Sequence, residues 1–175
     1  MSTHKPFTLE DDARFKSVIA RVLINEGSHI VDNKATGEVS KYGISLAFLR
    51  GLRNSATKEE IAALTVDGAK HLYRLYFWNA VGIWRIDDDK IAYKLCDLGV
   101  NMGPATAVKL LQRAAMVKSD GVLGPITATA VNEGDAQLIL ARFMDFAESC
   151  YRIIATADPN KGDFLAGWLK RLEQV

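Results

Sequence analysis

Few side chains in this sequence can do chemistry once metal and cofactor patterns are set aside. His4, His29 and His71 are scattered, no HExxH pair exists, and Cys96 and Cys150 have no zinc-like spacing, so no metal site is expected. A G-x-S-x-G elbow, a Walker phosphate loop and a G-x-G-x-x-G fingerprint are absent, and no cofactor is expected. Carboxylates remain, and one of them stands in an unusual place. In INEGSHIVDNKATGEVSKYGIS, Glu26 occupies the end of an apolar, helix-like run, just before the chain turns polar and glycine-punctuated. The helix macrodipole puts partial negative charge at that end, and a core-facing direction adds desolvation; both disfavour an ionised carboxyl. A carboxyl that keeps its proton is what a general acid needs to protonate a glycosidic oxygen. The structural alternative is a buried glutamate satisfied by backbone donors. Asp32 and Glu38 follow within the same stretch; either is able to position a water or stabilise an oxocarbenium-like state, and each also reads as a solvated loop charge.

The elements that must position these groups are mostly helices. TLEDDARFKSVIARVLINE reads as one helix, with Thr8 as N-cap, acidic residues in the first turn and Asp11 near the capping-box position. Phe15, Val18, Ile19 and Val22 follow the spacing of one apolar face. Glu26 lies about three turns beyond Phe15 at roughly 100° per residue, so it projects toward the core. Residues 28–45 lack helical periodicity and hold Gly37 and Gly43, which suits short strands or an irregular loop forming the wall of a site.

Helices then recur. Leu46–Leu52 is short, Thr57-Lys58-Glu59-Glu60 fits a capping box opening a helix to Leu64, and Thr65 caps a longer segment with Leu72, Leu75, Tyr76 and Trp78 in an apolar stripe. Asp87–Asp89 suit a helix start before KIAYKLCDLGVNMG, which Gly103-Pro104 breaks to open ATAVKLLQRAAMV. Glycines make a tight turn within Ser119–Thr127, and Pro125 starts a helix to Val131. A long helix from Asp135 to about Ala157 and a short one around Phe164–Leu172 complete the pattern.

Size and composition bound the rest. A chain of 175 residues with 49% apolar and 25% charged residues suits one packed domain and not a disordered chain. Twenty-two basic and twenty-one acidic residues alternate along it for a net charge of +1, so no nucleic-acid partner is expected. No apolar stretch reaches the roughly 18–20 residues of a membrane span, so no stable membrane insertion is expected. MSTHKPFTLEDDARF does not look like a secretory signal. Cys96 and Cys150 read as reduced thiols in helices.

Glu26-Gly27-Ser28, Val31-Asp32, Ser40 to Ser45 (SKYGIS), Leu75 to Trp78 (LYFW) and Cys96 to Gly103 (CDLGVNMG) together resemble the family-108 glycoside hydrolases. The similarity continues through Leu110 to Arg113 (LLQR) and Asp120 to Thr127 (DGVLGPIT), the latter like the family's C-terminal peptidoglycan-binding region. These are N-acetylmuramidases of bacteriophage endolysins within the lysozyme superfamily. The resemblance implies a mainly α, lysozyme-like domain over residues 1–175. Residues 10–100 or so would be its catalytic part and 101–175 a helical peptidoglycan-binding-like part. It implies cleavage of the β-1,4 bond between N-acetylmuramic acid and N-acetylglucosamine, and it puts the catalytic glutamate of an E-G-G motif on Glu26. Asp32 matches a family position and is favoured over Glu38 as the second group. Asp97 also resembles one, but its apolar helix suits a buried structural hydrogen bond.

The sequence departs from the family pattern in three places. Ser28 replaces the usual second glycine, and Asp32–Glu38 replaces an aspartate, proline and paired-glycine stretch. Ser40 stands where threonine is common and keeps the hydroxyl. Tyr42, Trp78 and Asn101 are the glycan-binding candidates, since aromatic faces cover sugar C–H surfaces and amides bond hydroxyl and acetamido groups. Against this, Trp78 suits core packing, Asn101 suits capping a helix end, and DGVLGP is explained by turn-to-helix geometry alone. The expected partner is bacterial peptidoglycan, approached by a monomer made in the host cytoplasm and released to the periplasmic wall through a separate holin. A lytic transglycosylase or a non-catalytic peptidoglycan-binding or secretion-related protein on the same scaffold are the alternatives.

Overall fold

A computed structural model describes residues 9–33, 37–158 and 162–174, and its fold is mainly α with a small three-stranded antiparallel sheet after the first long helix. Thr8, read as an N-cap, lies outside the described residues. The chain divides into two compact units, Met1–Ala80 and Val81–Val175. The division falls some way before residue 100, where the sequence reading divides catalytic from binding part.

In the first unit, helix α1 spans Leu9–Glu26. Phe15, Val18, Ile19 and Val22 are all buried, each contributing about 1.5–3 kcal/mol of transfer free energy toward docking the helix. Gly27 ends it: at φ 68 it enters the left-handed region, and its N–H donates to the Leu23 carbonyl at 3.0 Å, the single-bond left-handed cap. Strands β1 (Val31–Asn33), β2 (Glu38–Lys41) and β3 (Ile44–Ser45) pair antiparallel in that order. Lys41 pairs with Ile44, leaving Tyr42 and Gly43 as a two-residue turn. Both have positive φ, 52 and 75, which is the type I′ hairpin geometry matched to strand twist.

Ser45 caps α2 (Leu46–Leu52) by accepting from the Phe48 N–H at 3.0 Å. Helix α3 (Lys58–Ala63) has both halves of the Thr57–Glu60 capping box, and Thr65 caps α4 (Val66–Tyr73) through the Gly68 N–H at 3.0 Å. The helical path then widens into a π segment, Arg74–Asn79. Here the sequence pattern is corrected. The buried line is Ala69, Tyr73 and Phe77, with Arg74 and Trp78 beside it, while Leu75 is 40% exposed. Ala69 and Tyr73 lie one i, i+4 step apart in α4, and Phe77 follows four residues later, so the buried face runs through Tyr73 and away from the stripe expected at Leu72 and Leu75. Arg74 is buried because its guanidinium donates to Asp11 at 3.1 Å, has Asp12 at 3.7 Å, and lies over the Phe15 ring. Burial pulls its pKa down and the two aspartates oppose that, and the guanidinium stays charged.

The second unit begins with a 3-10 turn, Ile83–Arg85, followed by α5 (Asp89–Met102), α6 (Pro104–Ala114), α7 (Pro125–Asn132), α8 (Ala136–Ala157) and α9 (Leu165–Leu172). Asp88 and Asp135 cap α5 and α8 with their carboxylates, and Gly103 at φ 91 separates α5 from α6 ahead of Pro104. Every residue from Ile91 to Gly99 is buried, including two charges. Asp97 accepts from Arg171 at 2.8 and 3.0 Å. Lys94 donates to the carbonyls of Arg171, Leu172 and Gln174 at 2.8–3.2 Å, neutralising the negative end of α9. Asp97 therefore holds the structural role that its apolar helix suggests. Cys96 and Cys150 are both free thiols, and burial raises the pKa of Cys150. No described helix is long and apolar enough to cross a membrane.

Candidate active site

Glu26 is the last residue of α1, and its side chain is half-buried instead of fully inside the core. Gly43 explains what holds it. A Cβ built on Gly43 would stand 2.6 Å from Cγ and 2.7 Å from Cδ of Glu26, and closer still to the Tyr73 hydroxyl. The Glu26 carboxyl and the Tyr73 hydroxyl thus meet over one glycine, at a distance that no other residue permits. Tyr73 is fully buried, its ring packs against Phe77 with centroids 5.2 Å apart, and its hydroxyl donates to the Tyr42 carbonyl at 2.9 Å. The bond spans 31 positions of sequence and anchors the turn whose first residue is a left-handed tyrosine. That conformation costs a side-chain-bearing residue about 1–2 kcal/mol.

The two loop carboxylates part company in the sheet. Asp32 pairs with Val39, so it shares the face of Val39, and Glu38, the strand neighbour of Val39, points to the other face. Glu38 Oε1 accepts the Ala47 N–H at 3.0 Å, placing a carboxylate on the N-terminus of α2, where the macrodipole favours negative charge. Asp32 is exposed, with the Lys58 ammonium at 3.9 Å. Ser40 lies on the Glu38 face, opposite Val31 on one side and Ser45 on the other. Tyr42 is half-buried at the hairpin tip, with the Lys41 ammonium 5.4 Å from its ring centroid.

The other two glycan-binding candidates lie in different settings. Trp78 is 1% exposed, packs edge-on to Phe15 and donates its indole N–H to Asp11 at 2.9 Å, so it has no free face for a sugar. Asp11, expected near a capping box, spends its carboxylate on Trp78 and Arg74 instead. Asn101 belongs to the second unit, exposed, with its carboxamide oxygen accepting from the Tyr151 hydroxyl at 3.2 Å. The cluster brought together in the first unit is therefore Glu26, Tyr42, Gly43 and Tyr73.

Tyr73 escaped the sequence reading. Its signal was available, since a tyrosine four residues after buried Ala69 must find a partner for its hydroxyl. Ser28 is exposed and not left-handed, so the position of the missing second glycine makes no conformational demand here. A separate groove, lined by Phe15, Lys16, Ile19, Asp67 and His71 among others, contains none of the site candidates. Among the described residues, no group of three or more His, Cys, Asp or Glu side chains is placed to hold a metal ion.

In the second unit, the DGVLGP turn is organised by buried Gln112. Its amide nitrogen donates to Asp120 at 2.7 Å, Val122 O at 3.0 Å and Thr127 Oγ1 at 3.0 Å, and its oxygen accepts from the Gly121 N–H at 2.8 Å. Gly121 is left-handed at φ 82. The motif's polar residues and first glycine are thus occupied in building the turn that delivers Pro125 to the start of α7.

A first helix that ends in glutamate is followed here by a small antiparallel sheet and then by helices. Comparison with known families gives the class: residues 19–103 match the Glycosyl hydrolase 108 family, and residues 106–173 match the family described as Predicted Peptidoglycan domain. Residues 19–103 are thus similar to the family-108 glycosyl hydrolases and are followed by a region similar to a peptidoglycan domain, and the chain is a glycoside hydrolase acting on peptidoglycan. Among solved structures it is similar to Brucella abortus SagA, with 28% identity, a TM-score of 0.80, and coverage of 93% of this chain and 91% of that one. No curated protein matches it.

Proposed function

We propose that the protein is an N-acetylmuramidase that hydrolyses the β-1,4 bond between N-acetylmuramic acid and N-acetylglucosamine, with Glu26 as general acid. The observation that carries this reading is the seating of the Glu26 side chain, at the end of α1, against Gly43, where the Tyr73 hydroxyl also approaches. Such a seat limits how far the carboxyl can swing, and proton transfer needs its donor held in a fixed place. Protonated Glu26 gives its proton to the glycosidic oxygen as the bond to the muramic acid anomeric carbon breaks. Asp32 is the second carboxylate in this reading, because the Glu38 carboxylate is already used at the N-terminus of α2. It steadies the positive charge on the ring or takes a proton from the attacking water, and that water's hydroxyl ends on the anomeric carbon. Ser40 and Tyr42, on the same hairpin, supply a hydroxyl and an aromatic face to the glycan. The resemblance to endolysins supports a monomer that reaches the wall from the host cytoplasm through a separate holin.

The test is lysis of purified cell walls by Glu26→Gln, with product masses read from the parent digest. Turnover at least about 100-fold below the parent, with the variant folded and wall-bound, is the expected result. Parental lysis by Glu26→Gln removes the acid assignment. Anhydro-muramic products, lighter by one water than the hydrolysis products, replace the hydrolase with a lytic transglycosylase acting through the same glutamate.

A further inference from the structure

We propose that Tyr73 is a positioning residue for the acid, holding the Glu26 carboxyl in place by pinning the Tyr42–Gly43 turn against it. This rests on the reading of Glu26 as general acid. Tyr73 is fully buried, so its ring gives no face to substrate, and its influence must pass through what its hydroxyl holds. That hydroxyl donates to the Tyr42 carbonyl at 2.9 Å. The turn it holds is one that a bare two-residue hairpin would not choose: the first left-handed position, which favours Asn, Asp or Gly, is occupied by tyrosine at φ 52. A strained residue persists where the surroundings over-determine it, and the Tyr73 bond is such a determinant.

The second turn residue, Gly43, is the surface against which Glu26 rests, with room for no more than a hydrogen between glycine, carboxyl and phenol. Removing the hydroxyl frees the Tyr42 carbonyl, lets the turn move off, and opens space in which the carboxyl swings. A catalytic group displaced by about 1 Å loses up to about 100-fold in rate. Glycan contacts away from this turn are left as they were, and only the Tyr42 face shifts with it.

Tyr73→Phe keeps the ring and its contact with Phe77 and removes only the oxygen. Measured on soluble peptidoglycan fragments, its kcat is expected to fall at least about tenfold with KM within about twofold of the parent. A merely structural tyrosine would lower the melting temperature and leave kcat per folded molecule unchanged, and that result overturns the proposal. Tyr42→Asn, made in the Tyr73→Phe background, installs the Asn-Gly pair that adopts the type I′ turn unaided. Because Tyr42→Asn also removes the aromatic face offered to the glycan, it is made in the parental background too. If the hydroxyl acts through the turn, Tyr73→Phe is expected to lower kcat less in the Tyr42→Asn protein than in the parent, by at least about a third on a logarithmic scale; an equal loss overturns that route. Glu26→Gln separates the two levels. If it retains parental turnover, the acid reading itself fails, whereas its inactivity beside a fully active Tyr73→Phe fails the positioning role alone.

Discussion

Gly43→Ala tests the packing around the candidate acid most directly. The added methyl carbon would sit 2.6 and 2.7 Å from Cγ and Cδ of Glu26, where non-bonded carbons prefer about 3.5–4.0 Å. The carboxyl must therefore retreat by about 1 Å, or the turn must move by the same amount. Two costs add. The left-handed backbone, φ 75 at this residue, costs alanine about 1–2 kcal/mol. Overpacking against Glu26 and Tyr73 costs about 1–3 kcal/mol more.

Gly37→Ala separates these costs, because Gly37 is also left-handed, at φ 71, but a methyl group added there meets nothing within 4 Å. It is expected to lose the backbone part alone. Urea unfolding midpoints of the two variants then isolate the clash, and wall-lysis rates normalised to folded protein report the displacement of the acid. Gly43→Ala is expected to fall about 100-fold in turnover, the usual cost of a 1 Å misplacement. If it lyses walls at the parental rate and unfolds at the same urea concentration as Gly37→Ala, then the Gly43 contact does not fix Glu26.

Two further outcomes follow from the described contacts. Trp78→Phe removes the indole donor to Asp11 and should cost about 1–3 kcal/mol in unfolding free energy while leaving KM for glycan fragments unchanged; a raised KM at unchanged stability would return Trp78 to the substrate site. Asp120 has its pKa lowered below the ordinary 3.8, first by the Gln112 amide and then by the Val122 N–H. Its folded-state pKa is depressed, so the stability it contributes is fully present above its unfolded value and is lost as pH falls through the folded one. Asp120→Asn is expected to flatten the fall in second-unit stability below about pH 4, followed by urea midpoints across that range. An unchanged slope would mean the turn does not depend on the ionised carboxylate.

The sequence by itself determined most of the elements and the candidate acid. The Thr57, Thr65 and Asp135 caps, the break at Gly103 and the helix start at Pro125 are local: each acts on backbone groups within a few residues and so can be read from spacing. The direction of Glu26 was half legible, since three helical turns set its side but not the turn that would meet it. Tertiary structure decided what no local pattern contains. Tyr73 reaches Tyr42 across 31 positions, Trp78 is buried because Asp11 takes its N–H from 67 positions away, and Lys94 is buried because α9 ends above it. Packing chose the Ala69–Tyr73 face of α4 over the expected stripe, and strand register put Asp32 and Glu38 on opposite faces, although six residues apart they read as equals. Spacing along one element sets direction relative to that element. Which group is met there depends on long-range packing and register, and it is there that the seat of Glu26 was made.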